Sequence, residues 1–262
     1  MELIKSARKH RSIVSDVVYN LLNLGLAAAV FGLVYLFPDL PVLAYLLVIL
    51  SKWRVLAVRP RFWWDNLQAN FLDLLLGVSV VTMLWQARDI IVLQVILAGL
   101  YALWLIILKP MTSRVAVQVQ AIIAQFVAIT ALFSTSYEWA SWTVVLSMWL
   151  IGYVSARHTL GTYEEDDITL LSLIWGLIVA ELGWVAYHWE IAYSFGVPGS
   201  IFKIPQIAII TALLSYLAAR CYGTYKLKGR LKLGDVIWPG LFVVGIIAIL
   251  LLFFNGLDPN NS

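Results

Sequence analysis

The chain has 262 residues, 62% of them apolar or aromatic and only 13% charged, with a formal net charge of +3. That balance leaves too little polar surface to wrap a soluble globule, so lipid has to solvate the excess. The single Cys221 excludes an intramolecular disulfide and a thiolate metal cluster, and the basic residues cluster near helix ends rather than forming a nucleic-acid face. The expected class is an all-α, polytopic membrane bundle of about nine transmembrane helices, forming a single transmembrane domain over residues 1–262.

The chain opens with Lys5, Arg8, Lys9 and Arg11. The apolar run that follows is too long for a signal-peptide core and lacks a cleavage site, so it reads as a retained first span. Nine apolar runs recur, at about 17–37, 40–57, 67–86, 90–108, 115–134, 140–156, 168–190, 201–219 and 236–254. With the N-terminus cytoplasmic and the C-terminus outside, sixteen of the eighteen Lys and Arg residues fall on the inner side, leaving only Arg88 and Lys203 outside. This asymmetry is the positive-inside pattern, and Trp residues near predicted ends fit interfacial anchoring. The expected location is the cytoplasmic (plasma) membrane. The expected partners are the bilayer, anionic headgroups on the cytoplasmic side and a further membrane protein, with no nucleic acid.

A shift of fifty residues lays the first two spans on the next two. Asn20 falls on Asn70, Asn23 on Asp73, Asp39 on Asp89, Arg59 on Lys109 and Pro60 on Pro110. The pattern suggests tandem two-helix hairpins over 16–60 and 66–110, more weakly over 116–160, with the spans 168–190, 201–219 and 236–254 remaining. Units that begin on the same side form parallel rather than inverted repeats.

The first inner loop contains KWRVLAVRP, residues 52–60. It matches the first motif of the membrane phosphatidic-acid phosphatase family, a Lys, six residues, then Arg-Pro. That family also needs a Pro-Ser-Gly-His segment and a later nucleophilic His. The nearest Ser-Arg, at Ser113 and Arg114, has Gln120 where the His would stand, so the resemblance fails. Lys52, Arg54, Arg59 and Arg61 then read as headgroup-binding anchors, as do Lys226, Lys228, Arg230 and Lys232. No HExxH motif is present, three scattered His form no metal set, and no cofactor is expected.

In the third span, Asn66, Asn70, Asp73 and Gly77 recur at helical spacing on one face. A charge in a span is costly and tends to mark function, so this face is expected to line a cytoplasmic-side cleft. Before the seventh span, Glu164, Glu165, Asp166 and Asp167 form an acidic cap, with Thr162 and Glu165 spaced as a capping box. Within that span Glu181, Trp184 and His188 share one side, while Ser172, Gly176, Ala180, Gly183 and Tyr187 form a mostly small-residue strip opposite. Both sides call for protein neighbours. The seventh helix is therefore expected at the centre of the bundle, with Glu181 as a buried proton or cation site. The leading function is a transporter or permeation protein for a small solute or ion. The alternative is a non-catalytic scaffold or assembly subunit, and a lipid-modifying membrane enzyme comes third.

Overall fold

The computed structural model describes residues 13–55, 57, 59–163, 165–189, 191–194 and 203–254. The N-terminal basic cluster, Glu164, Glu190 and the Gly199-Ser200 turn lie outside them, and at Arg54 only the backbone is described.

Among the described residues the chain forms nine α-helices: α1 Ile13–Leu36, α2 Val42–Leu50, α3 Trp63–Gln86, α4 Ile91–Leu103, α5 Arg114–Thr135, α6 Ser141–Leu160, α7 Ile168–His188, α8 Gln206–Lys228 and α9 Leu233–Phe253. A π-turn, Trp104–Leu108, extends α4. A small antiparallel pair, β1 Ala192–Ser194 and β2 Lys203–Pro205, precedes α8, with Tyr193 opposite Ile204. The helices run up and down between two ends. Lys52, Lys109, Arg157 and Lys226 meet side chains from neighbouring helices at one, the basic end. At the other, Trp85 Nε1 donates to Pro38 O and Gln86 Nε2 to Ser134 O, each at 3.0 Å, and Tyr187 OH donates to Trp139 O.

Among the described residues seven stretches are long and apolar enough to cross a membrane: α1, α3, α4 with its π-turn, α5, α7, α8 and α9. The protein is thus a polytopic helical membrane bundle, and two of the nine expected runs fall outside these seven stretches. The run 40–57 yields only the nine-residue α2, about 13 Å long at the helical rise, too short to cross alone. It stops where Ser51 Oγ donates to Val48 O at 2.6 Å, and the chain continues in short 3₁₀ turns at Trp53–Val55 and Pro60–Phe62. Helix α6 has 20 residues but carries Ser, Arg157 and His158. Packed between α5 and α7, it needs less apolar surface than a helix facing lipid. The eighth run also shifts: α8 reaches Lys228, so Cys221 stands within the helix rather than at its edge.

The centre is α5, not α7. Helix α5 packs on α3, α6 and α8, burying a column of small and polar residues that includes Ala121, Ala124, Gln125, Ala128 and Thr130. Helix α7 packs chiefly on α6. Its small-residue strip does form that contact, with Ser172, Gly176, Ala180 and Gly183 buried. At Gly176 a Cβ would stand 2.9 Å from Trp149 O, so only glycine lets the two backbones approach this closely. Helix α9 packs chiefly along α8, and of its residues Val243 alone is buried.

Candidate functional site

The polar residues that the fold brings together are centred on Asp73. It stands ten residues into α3, about 15 Å from that helix's basic end. Lys52 Nζ, just past the end of α2, lies 3.0 Å from Asp73 Oδ2, and Lys109 Nζ, just past the π-turn, lies 2.8 Å from the same oxygen. The side chains are 15%, 17% and 25% exposed for Lys52, Asp73 and Lys109. They are enclosed enough for an unbalanced charge to be costly.

Two departures from regular helix place the lysines. Had α2 continued as an α-helix, the residues around Lys52 would be tied into its ladder; its early end frees them to turn toward α3. Helix α2 reaches α3 because residue 77 is glycine: a Cβ there would stand 2.6 Å from Val48 Cγ1 and 3.2 Å from Tyr101 OH. At the other lysine, the π-turn widens the last turn of α4 and leaves carbonyls facing α5. Gln120 Nε2 satisfies them, donating to Leu108 O at 2.5 Å and Met111 O at 3.0 Å. His158 Nε2 on α6 lies 3.1 Å from Gln120 Oε1, placed to donate to it. Further along, Arg157 donates to Gln68 Oε1 at 2.5 Å and Thr169 Oγ1 at 3.1 Å, joining α6 to α3 and α7. Single-turn π irregularities and helix breaks at membrane depth are recurrent companions of functional sites.

Of the face expected to line a cleft, Asp73 and Gly77 meet α2 and α4, whereas Asn70 turns back on its own helix, Nδ2 donating to Asn66 O at 2.9 Å. Neither Asn66 nor Asn70 bonds the lysines.

The expectation of a buried Glu181 is overturned. Glu181 is exposed on α7, as are Trp184 and His188. Trp184 and His188 stack edge to face, with ring centroids 4.9 Å apart. Helical projection separated the two sides of α7 but could not say which one would find a neighbour. The small-residue side took α6, and the Glu181 side is left facing out of the bundle, with no bond from His188 to Glu181.

The acidic run precedes α7, but Thr162 and Glu165 do not form the expected capping box. Helix α7 begins at Ile168 with Asp167 as N-cap and no side-chain cap bond, and Thr162 Oγ1 donates to Thr159 O at 2.8 Å, closing α6 instead. Glu165 turns to α8, accepting from Lys226 Nζ and from Tyr222 OH. The hydrogen bond from Lys226, with that from Tyr222, holds the Glu165 carboxyl below its usual 4.5. Asp166 and Asp167 are exposed. Among the expected headgroup anchors, Lys52 is drawn into the Asp73 site and Lys228 pairs with Asp235 at 2.5 Å. Arg59, Arg61, Arg230 and Lys232 remain exposed at the basic end.

Comparison with protein-family models, curated proteins and solved structures finds no match for this chain. Lys52 and Lys109 are the site residues that the sequence reading missed. A signal was present: a carboxylate inside a span needs a counter-ion at its own depth, and the two cations nearest in the folding pattern end α2 and α4.

Proposed function

We propose that this polytopic membrane protein is a permeation protein for a small anionic solute, with Lys52, Asp73 and Lys109 as its solute site. The observation that carries the reading is the imbalance of that trio: two ammonium groups share one carboxylate oxygen, and no second carboxylate pairs with either lysine among the described residues. A cluster one negative charge short, at membrane depth, is completed by an anion. Asp73 keeps the empty site from holding two bare cations, and an arriving anion competes with it for the lysines, so binding is strong enough to admit the solute and weak enough to release it. The distribution of Lys and Arg supports placing the basic end in the cytoplasm of a cell with this protein in its plasma membrane.

The test is uptake of chloride, phosphate and small carboxylates into proteoliposomes. Wild-type protein is expected to carry at least one of these anions and Lys109→Gln to lose most of that flux while retaining its fold. Flux of all three indistinguishable from empty liposomes would reject the reading.

A second reading, assembly subunit, is favoured by one observation. Glu181 stands on the outward face of a candidate span, where lipid is a poor neighbour for a carboxyl group and a polar side chain on another membrane helix is a good one. Loss of co-purifying partners or of self-association in Glu181→Leu would support this reading, and an unchanged assembly state would remove it.

A further inference from the structure

The turn that carries Lys109 is braced from outside its own helix. Met111 N donates to Leu108 O at 3.0 Å, closing a turn over Leu108, Lys109, Pro110 and Met111, and Lys109 N donates back to Trp104 O at 2.9 Å. Pro110, having no N–H, ties nothing into the helical ladder. The remaining support comes from α5, where the Gln120 amide donates to the carbonyls at both ends of the turn, Leu108 O at 2.5 Å and Met111 O at 3.0 Å. Gln120 is 4% exposed, so these bonds are shielded from competing water.

Those two bonds decide which way the amide faces. Backbone carbonyls only accept, so the Gln120 nitrogen points at them and both of its hydrogens are used. Its oxygen then needs a donor from within the protein, because a buried acceptor left unmet is costly. His158 Nε2 on α6 stands 3.1 Å from that oxygen, and a donor there must carry its hydrogen on Nε2, whether the ring is neutral or charged. A chain of hydrogen bonds thus runs from α6, through α5, to the backbone on either side of Lys109. It touches neither the Lys109 ammonium nor Asp73, and Lys52, carried by the end of α2, takes no part in it. A lysine ammonium rides on a flexible four-carbon stem, so it is aimed only as well as its backbone is held.

We propose that His158 is a positioning residue for the solute site: through Gln120 it holds the Lys109 turn in place, and so sets how well an anion is captured between the two lysines. The role in capture rests on the anion-permeation reading, whereas the hold on Lys109 is measurable without any flux.

His158→Phe keeps a ring and removes the donor, and His158→Leu serves the same purpose if the phenyl ring is not accommodated. His158→Gln supplies an amide N–H close to where the imidazole Nε2 stood. Full-length wild type and variants in nanodiscs are given a brief pulse of acetic anhydride, and acetylation of Lys109 and Lys52 is compared by peptide mass spectrometry. Loss of the donor is expected to raise acetylation of Lys109 several-fold relative to Lys52, and His158→Gln to return most of the way to wild type. In proteoliposomes, with whichever of chloride, phosphate and small carboxylates the wild type carries, His158→Phe is expected to raise the half-saturating concentration several-fold more than it lowers the maximal rate, a split that simple loss of folded protein does not produce. A Lys109-to-Lys52 ratio left at the wild-type value, or a fall in maximal rate alone at an unchanged half-saturating concentration, would overturn the proposal. A wild-type protein that carries none of these anions rejects the permeation reading and leaves the acetylation ratio to decide whether His158 holds Lys109.

Discussion

Asp73→Asn keeps the size of the side chain and removes its charge, so it isolates what the carboxylate does for the two lysines. Lys52 Nζ and Lys109 Nζ lie 3.0 Å and 2.8 Å from one oxygen atom. Two cations that touch the same atom stand no more than about 6 Å apart, where they repel by roughly 3 kcal/mol at an effective dielectric of about 20. That repulsion is present in wild type as well, so what the substitution removes is the attraction of the carboxylate for both lysines, roughly 5 kcal/mol per pair at the same dielectric and about 3 Å. The recovered desolvation of Asp73, with solvent and side-chain movement at lysines 15% and 25% exposed, offsets most of it, leaving a loss of about 2 kcal/mol. Thermal unfolding of the detergent-purified protein should show Asp73→Asn melting several degrees below wild type. The double variant Asp73→Asn with Lys52→Met leaves one unpaired cation instead of two, and should recover at least half of the loss, a coupling of about 1 kcal/mol or more. Added sulfate should stabilise Asp73→Asn more than wild type, because the variant holds two lysines with no resident anion. A variant as stable as wild type, or single effects that simply add in the double variant, would refute the reasoning.

Other outcomes are open to the same kind of measurement. Gly77→Ala places a methyl group 2.6 Å from Val48 Cγ1 and should push α2 off α3 at a cost of about 1–3 kcal/mol, lowering the melting temperature and slowing anion uptake together. Glu165 has its carboxyl held below 4.5 by Lys226 and Tyr222. Its tie to α8 is therefore present above that pH and lost as pH falls through the lowered value, so hydrogen exchange at residues 161–167 should rise in acid. In Glu165→Gln that acid-induced rise should be absent. Glu181→Gln should leave the melting temperature of the isolated protein within about 0.5 kcal/mol equivalent, since an outward-facing side chain has no contact in the bundle to lose. A large destabilisation would mean Glu181 is enclosed after all.

Much of the bundle was legible in the amino-acid sequence, because a run of some twenty apolar residues leaves the backbone little choice inside lipid but to form a helix. The short α2 was not legible by that route. Hydropathy over 40–57 counts side chains, and the helix stops because Ser51 takes a carbonyl of its own turn and Lys52 reaches a carboxylate on another helix. Asp73 stood out as a polar residue in a span, but Lys52 was read as a headgroup anchor and Lys109 only as one of the inner-side cations, since each sits just beyond an apolar run. The central helix was misplaced for a related reason. Small residues on α7 showed that one side wanted a neighbour, whereas the alternation of Ala and Gln along α5, with Gln120 and Gln125 both buried, was the stronger mark of a helix surrounded by protein. Glu181 showed the limit of projection: both sides of a helix can look unfit for lipid while only one finds a partner within the chain.

The most direct test of the anion site is a crystal structure of the protein grown or soaked with bromide, with data collected at the bromine absorption edge. An anomalous peak within hydrogen-bonding reach of Lys52 Nζ and Lys109 Nζ, absent in Lys109→Gln, is the expected result. Well-ordered lysines closed on Asp73 with no bromide beside them would contradict it, and would leave the trio as a structural tie between α2, α3 and α4.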